Sequence, residues 1–446
     1  MTEGSITGSI LRFAAPILVG NLFQECYNLV DMTIVGHLLG DSAIASVGAA
    51  APIYSLVINL ANGITNGFSV ITAREFGAGN KEKMSRAISY SYLLTVMISA
   101  ALTVISLVCL EPLLHFLNTP ADAIGGTRDY LMTIMSFCVV SMLYNMFAGM
   151  FRAIGNSRIP LYFLIISTVI NIGLDYTFVK YLHLGVRGAA CATVIAQAVS
   201  VTLCVICVST KYDMLLFRPK YLVRDAKLIM DMLLTGFSMG MMLAVVNIGS
   251  VALQNAVNSF GSKTVTAHIA ARKFDEIFML PFGTLAIVSS TFASQNFGAG
   301  KMDRVHKGIK TAMFIGFGWS AFAFVFARFF AADIVKALTD TSSEVIVSTA
   351  TKYIHINTPF FAVLTVLLIL RSSLQGLGRK VVPLIGSGVE LAAKFIAVIF
   401  VAPVFGYTGI CFLEPAIWIV CAAIVLIDYS VFIKKTEKKQ REAEAV

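Results

Sequence analysis

Four polar side chains share one face of an otherwise apolar stretch near the start of the chain. Asn21, Gln24, Asn28 and Asp31 fall at i, i+3, i+7 and i+10, a spacing that aligns them along a helix. Asn171 and Asp175 lie at i and i+4 in a later apolar stretch, again on one helical face. Thr193 sits in the next one, and Asn59, Asn62 and Asn66 recur at near-helical spacing in an earlier one. An ionisable group at the middle of a membrane span costs roughly 2.5–3.5 kcal/mol on insertion scales, so each calls for a reason. Two chemistries suit Asp31 and Asp175 supported by Asn171 and Thr193. Two carboxyls held together in apolar surroundings resist ionising together, so one of them can load and release a proton. With both ionised, the same oxygens would instead hold Na⁺, a hard cation that takes oxygen ligands. The plain alternative is that the acids only tie helices together by hydrogen bonds.

The second half of the chain is charged differently. Arg272, Lys273, Asp275 and Glu276 are crowded into one apolar stretch, Glu390 and Lys394 stand at i,i+4 as an intrahelical pair, and Glu414 precedes Pro415. Glu276, Glu390 and Glu414, together with Gln24, Asn28, Asn62 and Asn66, are the candidates for lining a substrate cleft. Glu25 and His37 read as structural.

These residues must be carried by membrane helices. The chain has 446 residues, of which 57% are hydrophobic and only 13% charged, and its mean hydropathy is +0.81. A soluble domain carries about a quarter charged residues. Runs of roughly 20 mostly apolar residues, enough to cross ~30 Å of hydrocarbon, recur near 12–36, 46–72, 88–110, 130–150, 160–181, 189–209, 230–257, 265–292, 309–331, 353–373, 382–403 and 408–432. The expected fold is an all-α membrane protein of about twelve transmembrane helices. The segment Met1–Ile10 lacks a basic region and the first apolar run is long, so a signal peptide is not expected.

An internal repeat organises those spans. Phe76-Gly77-Ala78-Gly79 recurs 221 residues on as Phe297-Gly298-Ala299-Gly300. The same offset places Gly40 on Gly261 and Gly185-x-x-Gly188 on Gly406-x-x-Gly409, while Gly155 with Pro160 matches Gly378 with Pro383 at 223. Two six-helix lobes follow, residues 1–210 and 228–433, joined by a polar linker 211–227 and followed by a basic tail 434–446. An even number of spans per half makes the repeats parallel, a layout that recurs in secondary transporters. With both termini cytoplasmic, the inner loops and tail hold 23 basic residues, Arg74, Arg152, Lys220, Lys301, Arg371 and Lys434 among them, against 7 outside. That asymmetry accounts for the net charge of +9 without a nucleic-acid partner.

Several function classes lose support. The eight cysteines are scattered through apolar spans, and Cys204-x-x-Cys207 has no partner pair, so small packing residues are the expectation rather than a metal or redox site. No P-loop, HExxH or nucleophile elbow is present. The chain is not expected to be an enzyme.

The sequence resembles the multidrug and toxic compound extrusion (MATE) transporters. The resemblance is carried by Pro16…Asn21…Asp31…Gly36, the twin Phe-Gly-Ala-Gly loops, Arg152-Ala153-Ile154-Gly155-Asn156…Pro160 and Gln375-Gly376-Leu377-Gly378…Pro383. Asn171-x-x-x-Asp175 with Asp31 is similar to the bacterial DinF-like branch, which implies the coupling-ion role for these acids. The resemblance implies a two-lobed, V-shaped fold in the cell membrane, a monomer without cofactor, and export of cationic or amphipathic organic compounds in exchange for H⁺ or Na⁺. The NorM-like branch carries an acid in its seventh span. Here Met242–Ala256 has Asn247, Gln254 and Asn255 but no carboxylate, so a cation site of that kind is not expected. A Met-rich, aromatic cleft would suit varied substrates. The nearest rival is a flippase for a lipid-linked or polysaccharide precursor, which calls for a strongly cationic cavity. A membrane-embedded enzyme or receptor calls for a catalytic cluster or a large soluble loop, and neither is visible.

Overall fold

The computed structural model describes residues 1–117, 119–340 and 343–444. Of the basic tail, residues 445–446 and the side chains beyond Thr436 lie outside the described residues. The described chain is helical, with no strand. The helices are α1 (Ile6–Leu39), α2 (Asp41–Gly77), α3 (Lys81–Phe116), α4 (Ile124–Ser136), α5 (Cys138–Ala153), α6 (Arg158–Tyr176) and α7 (Gly185–Lys211) in the first half. The second half has α8 (Ala226–Asn258), α9 (Ser262–Gly298), α10 (Met302–Thr339), α11 (Glu344–Asn357), α12 (Phe361–Gly376), α13 (Val381–Ile396) and α14 (Ala402–Glu444).

Among the described residues, nine helical stretches are long and apolar enough to cross a membrane, or ten if α4 and α5, bent by 52° at their junction, count as one span. One of these stretches runs for 56 residues, Val381–Thr436, and carries both α13 and the start of α14. That is ample for two crossings at about 20 residues each. With α4–α5 and α11–α12 each read as one interrupted run, six helical runs fall in each half. The outer surface is apolar as a lipid-facing one must be: Val108, Phe314, Phe329 and Val404 are each more than 70% exposed.

The repeat seen in the sequence is a repeat of backbone geometry. The glycines matched at 221 or 223 residues have positive φ in both copies: Gly40 and Gly261 (81° and 86°), Gly79 and Gly300 (68° and 70°), Gly155 and Gly378 (87° and 83°), Gly185 and Gly406 (59° and 59°). L side chains rarely adopt this region, so glycine marks the chain reversals. A π-helical turn follows α6 at Thr177–Tyr181, and another follows α13 at Ala397–Val401.

The chain forms two compact units. The N-terminal unit comprises Leu11–Ala244 and Phe297–Gly300; the C-terminal unit comprises Met1–Ile10, Val245–Asn296 and Lys301–Val446. Helix α8 therefore changes unit at Ala244/Val245. Its first half is docked in the N-terminal unit by glycines. A Cβ on Gly63 would lie 2.4 Å from Gly240 Cα, and one on Gly67 would lie 2.4 Å from Gly236 Cα. Backbones this close are the small-residue packing that replaces the hydrophobic effect inside a bilayer.

The linker is strapped down rather than loose. Tyr90 Oη donates to the Val223 carbonyl (2.6 Å), Tyr92 Oη to that of Leu215 (3.2 Å) and Ser89 Oγ to that of Arg218 (3.2 Å), all from α3. In the C-terminal unit, the first residues of the chain hold the start of α10. Arg304 donates from Nη1 to Gly4 O and from Nη2 to Glu3 O (both 2.8 Å), and Lys301 Nζ donates to Thr2 O (3.0 Å). The apolar core of that unit packs Ala267, Ala271, Phe274, Ala327, Ala331 and Tyr353 from α9, α10 and α11.

Candidate functional site

Three helices of the N-terminal unit bring the predicted acids together. Asp31 comes from α1, Asn171 and Asp175 from α6, and Thr193 from α7. Asp175 and Asn171 are fully buried. The carboxyls of Asp31 and Asp175 lie near enough for each to act on the other's ionisation. Two carboxyls held near one another in buried surroundings resist ionising together. The Oδ1 atom of each is buried and has no hydrogen-bond partner.

Neutral groups complete the surroundings. With its amide oriented by the hydrogen-bond network, Asn171 donates to Asp175 Oδ2 (2.8 Å) and accepts from the Thr193 backbone N–H (3.1 Å). The Thr193 hydroxyl donates to Ala189 O (3.1 Å), which leaves its oxygen to accept from Tyr27 Oη at 3.3 Å. Tyr27 stands three residues after Gln24 and four before Asp31, on the face already singled out, and spacing alone could have found it. A cavity of about 50 Å³ opens beside these groups, lined among others by Gln24, Tyr27, Asn171, Thr193, Gln197 and Ser200. That is room for a few waters, and no charged side chain lines it.

The other cleft candidates have separate surroundings. Asn28 is exposed and accepts from Gln24 Nε2 at 3.2 Å. Asn66 Oδ1 accepts from Arg152 Nη2 (3.0 Å), and Asn62 Oδ1 is buried without a partner.

In the C-terminal unit the charges form a chain across four helices. Arg371 on α12 meets Glu390 (3.9 Å), Glu390 meets Lys394 (3.0 Å), Lys394 meets Glu414 on α14 (3.4 Å), and Glu414 meets Arg272 on α9 (3.8 Å). Gly249 makes way for it, since a Cβ there would lie 2.6 Å from Lys394 Cδ. Arg371, counted above among the cytoplasmic loop residues, is instead buried within α12, because that helix continues to Gly376. Asp275, one turn from Arg272, is buried with neither carboxyl oxygen meeting a donor. Glu276 pairs with Lys273 (3.0 Å) and lines a cavity of about 400 Å³ with Ser250, Gln254, His268, Arg272 and Lys273.

The internal duplication is matched by the family comparison. The MatE family model fits the chain twice, over residues 16–177 and 238–401. The chain belongs to the MATE family. It is a multi-pass membrane transporter of the multidrug type, not an enzyme. Among MATE relatives, the "Probable multidrug resistance protein YoeA" of Bacillus subtilis (strain 168) is 27% identical over 323 residues, 71% of this chain and 70% of that protein. YpnP from the same strain, likewise named a probable multidrug resistance protein, is 26% identical over 308 residues, 68% of each. An outward-facing MATE multidrug resistance transporter of the MOP superfamily superposes with a TM-score of 0.89 at 20% identity, covering 97% of both chains. That likeness establishes the fold.

Proposed function

We propose that this MATE protein is a proton-driven exporter of cationic or amphipathic organic compounds, with Asp31 and Asp175 as the coupling pair and Asn171 and Thr193 as its supports. The observation that carries this reading is the convergence of the two carboxyls among neutral groups, Asn171, Thr193 and Tyr27, with Oδ1 of each acid buried and unpartnered. The neutral groups around the pair supply no cation to balance two carboxylates, so one shared proton is the simplest way to hold both acids in the same buried site. Loss of that proton leaves two like charges face to face in a low-dielectric site, and their repulsion favours a different arrangement of α1 and α6. Proton loading thereby biases a two-state equilibrium that a bound drug biases the other way. Both termini face the cytoplasm in this reading, by the 22 to 7 distribution of basic residues that remains once the buried Arg371 is set aside.

Efflux of a cationic dye from everted vesicles tests it, driven separately by a pH gradient and by a Na⁺ gradient. The pH gradient is expected to drive export in the wild type, and Asp31→Asn and Asp175→Asn to abolish it. Export driven by Na⁺ alone overturns the choice of ion. Normal pumping by both variants overturns the assignment of the pair.

A further inference from the structure

The cavity of about 400 Å³ in the C-terminal unit has the size of a small-molecule pocket, and its charged lining is dipolar. Arg272 and Lys273 are consecutive on α9, and Glu276 lies one turn further along the same helix. The Lys273–Glu276 pair is partly exposed, with 35% and 53% of the two side chains accessible. Pairs of that kind contribute little and exchange partners readily. Arg272 reaches Glu414 only at 3.8 Å, an ion pair without hydrogen-bond geometry, while Lys394 stands closer to the same carboxylate at 3.4 Å. Tyr353 and Asp275 also act on Arg272, and a guanidinium with five N–H donors keeps capacity beyond them for a carboxylate or phosphate entering from the cavity. Four acids (Asp275, Glu276, Glu390 and Glu414) balance four bases (Arg272, Lys273, Arg371 and Lys394) in formal charge. A ligand that is itself neutral overall but doubly charged can replace the Lys273–Glu276 pair without leaving an uncompensated charge.

We propose that this cavity is a ligand site for amphoteric organic molecules. Their anionic group, a carboxylate or a phosphate monoester, docks on Arg272 and Lys273, and their ammonium group docks on Glu276. The transport significance of the site rests on the export reading above; binding itself does not. The N-terminal cavity, with no charged side chain in its lining, offers no such anchor for an anion.

The test is equilibrium binding to the full chain in lipid nanodiscs, without any gradient, by fluorescence polarisation. Rhodamine B keeps a free carboxylate beside its cationic ring system, and its ethyl ester is the matched cation without the carboxylate. Pyridoxamine 5′-phosphate, which carries both an ammonium and a phosphate, against pyridoxamine gives the phosphate arm. The wild type is expected to prefer each anion-bearing member over its dephosphorylated or esterified partner by roughly tenfold. Arg272→Gln is expected to bring that ratio close to one, with affinity lost for the anion-bearing probes. Lys273→Gln, at a more exposed position, serves where loss of Arg272 unfolds the protein, and it is expected to reduce the same ratio. Preference in one arm alone identifies which anion the site takes. Equal affinities within both pairs in the wild type, or no binding of either anion-bearing probe, overturns the proposal. So does a preference that survives both substitutions. Binding that follows Arg272 in a protein that exports nothing would sink the export reading and leave the site standing.

Discussion

The two units keep their buried charges in opposite ways. In the N-terminal unit two carboxyls face each other among neutral partners, Asn171, Thr193 and Tyr27. In the C-terminal unit acids alternate with bases from Arg371 to Arg272. The 221-residue offset makes the contrast concrete, since Thr193 corresponds to Glu414 and Asp31 to Ala252. A pair of like groups changes its proton count as part of its function, because each protonation state favours its own spacing. A chain of opposite charges has nothing to gain from a proton, and each member is held by its neighbours. On the proposed reading, one backbone plan serves a titrating site in one copy and a network of opposite charges in the other.

The sharpest way to break this comparison is at the acid pair. Asp31→Asn and Asp175→Asn are each expected to remove nearly all efflux driven by a pH gradient, and the double variant to be no worse than either, since the two act as a unit. Additive losses in vesicle assays would mean two independent sites. Stability is expected to behave in the reverse manner. Glu414→Gln leaves Lys394 and Arg272 short of a carboxylate and is expected to cost about 3–5 kcal/mol, as for a broken buried pair. Asp175→Asn keeps a neutral, hydrogen-bonding group in place and is expected to cost about 1 kcal/mol or less. Thermal unfolding in detergent measures both, and equal effects would erase the distinction. Gly63→Val tests the close seam between α2 and α8, where overpacking is expected to cost about 1–3 kcal/mol, read as a lower unfolding temperature. The smallest effect is expected for Thr193→Val, which removes the acceptor for Tyr27. About 1 kcal/mol corresponds to a roughly fivefold slower initial rate of efflux, with the choice of driving ion unchanged.

Much of this was legible in the sequence, for identifiable reasons. The duplication was visible because left-handed turns demand glycine, and glycines such as Gly79 and Gly300 stand at one offset. Asp31 and Asp175 stood out because carboxyls are costly in an apolar span and their neighbours keep helical spacing. Arg371 misled because a basic residue near the end of an apolar run reads as a loop anchor; only its partner Glu390, on another helix, accounts for its burial. The dependence of Gly249 on Lys394 is likewise a contact between α8 and α13 that no local pattern encodes. The point where α8 passes from one unit to the other, Ala244/Val245, leaves no mark either, since apolar residues continue without interruption through it.

The grip of the first residues on the start of α10 has a consequence for how the protein is made. Gly4 precedes its partner Arg304 by 300 residues, about 15–60 s of synthesis at ~5–20 residues per second. Most of the N-terminal unit is one continuous stretch, Leu11–Ala244, that can assemble as it leaves the ribosome. The segment ahead of it belongs to the unit finished last. A chain stalled before Gln295 would present residues 1–4 without the partners the structure gives them, Gln295, Asn296, Lys301 and Arg304.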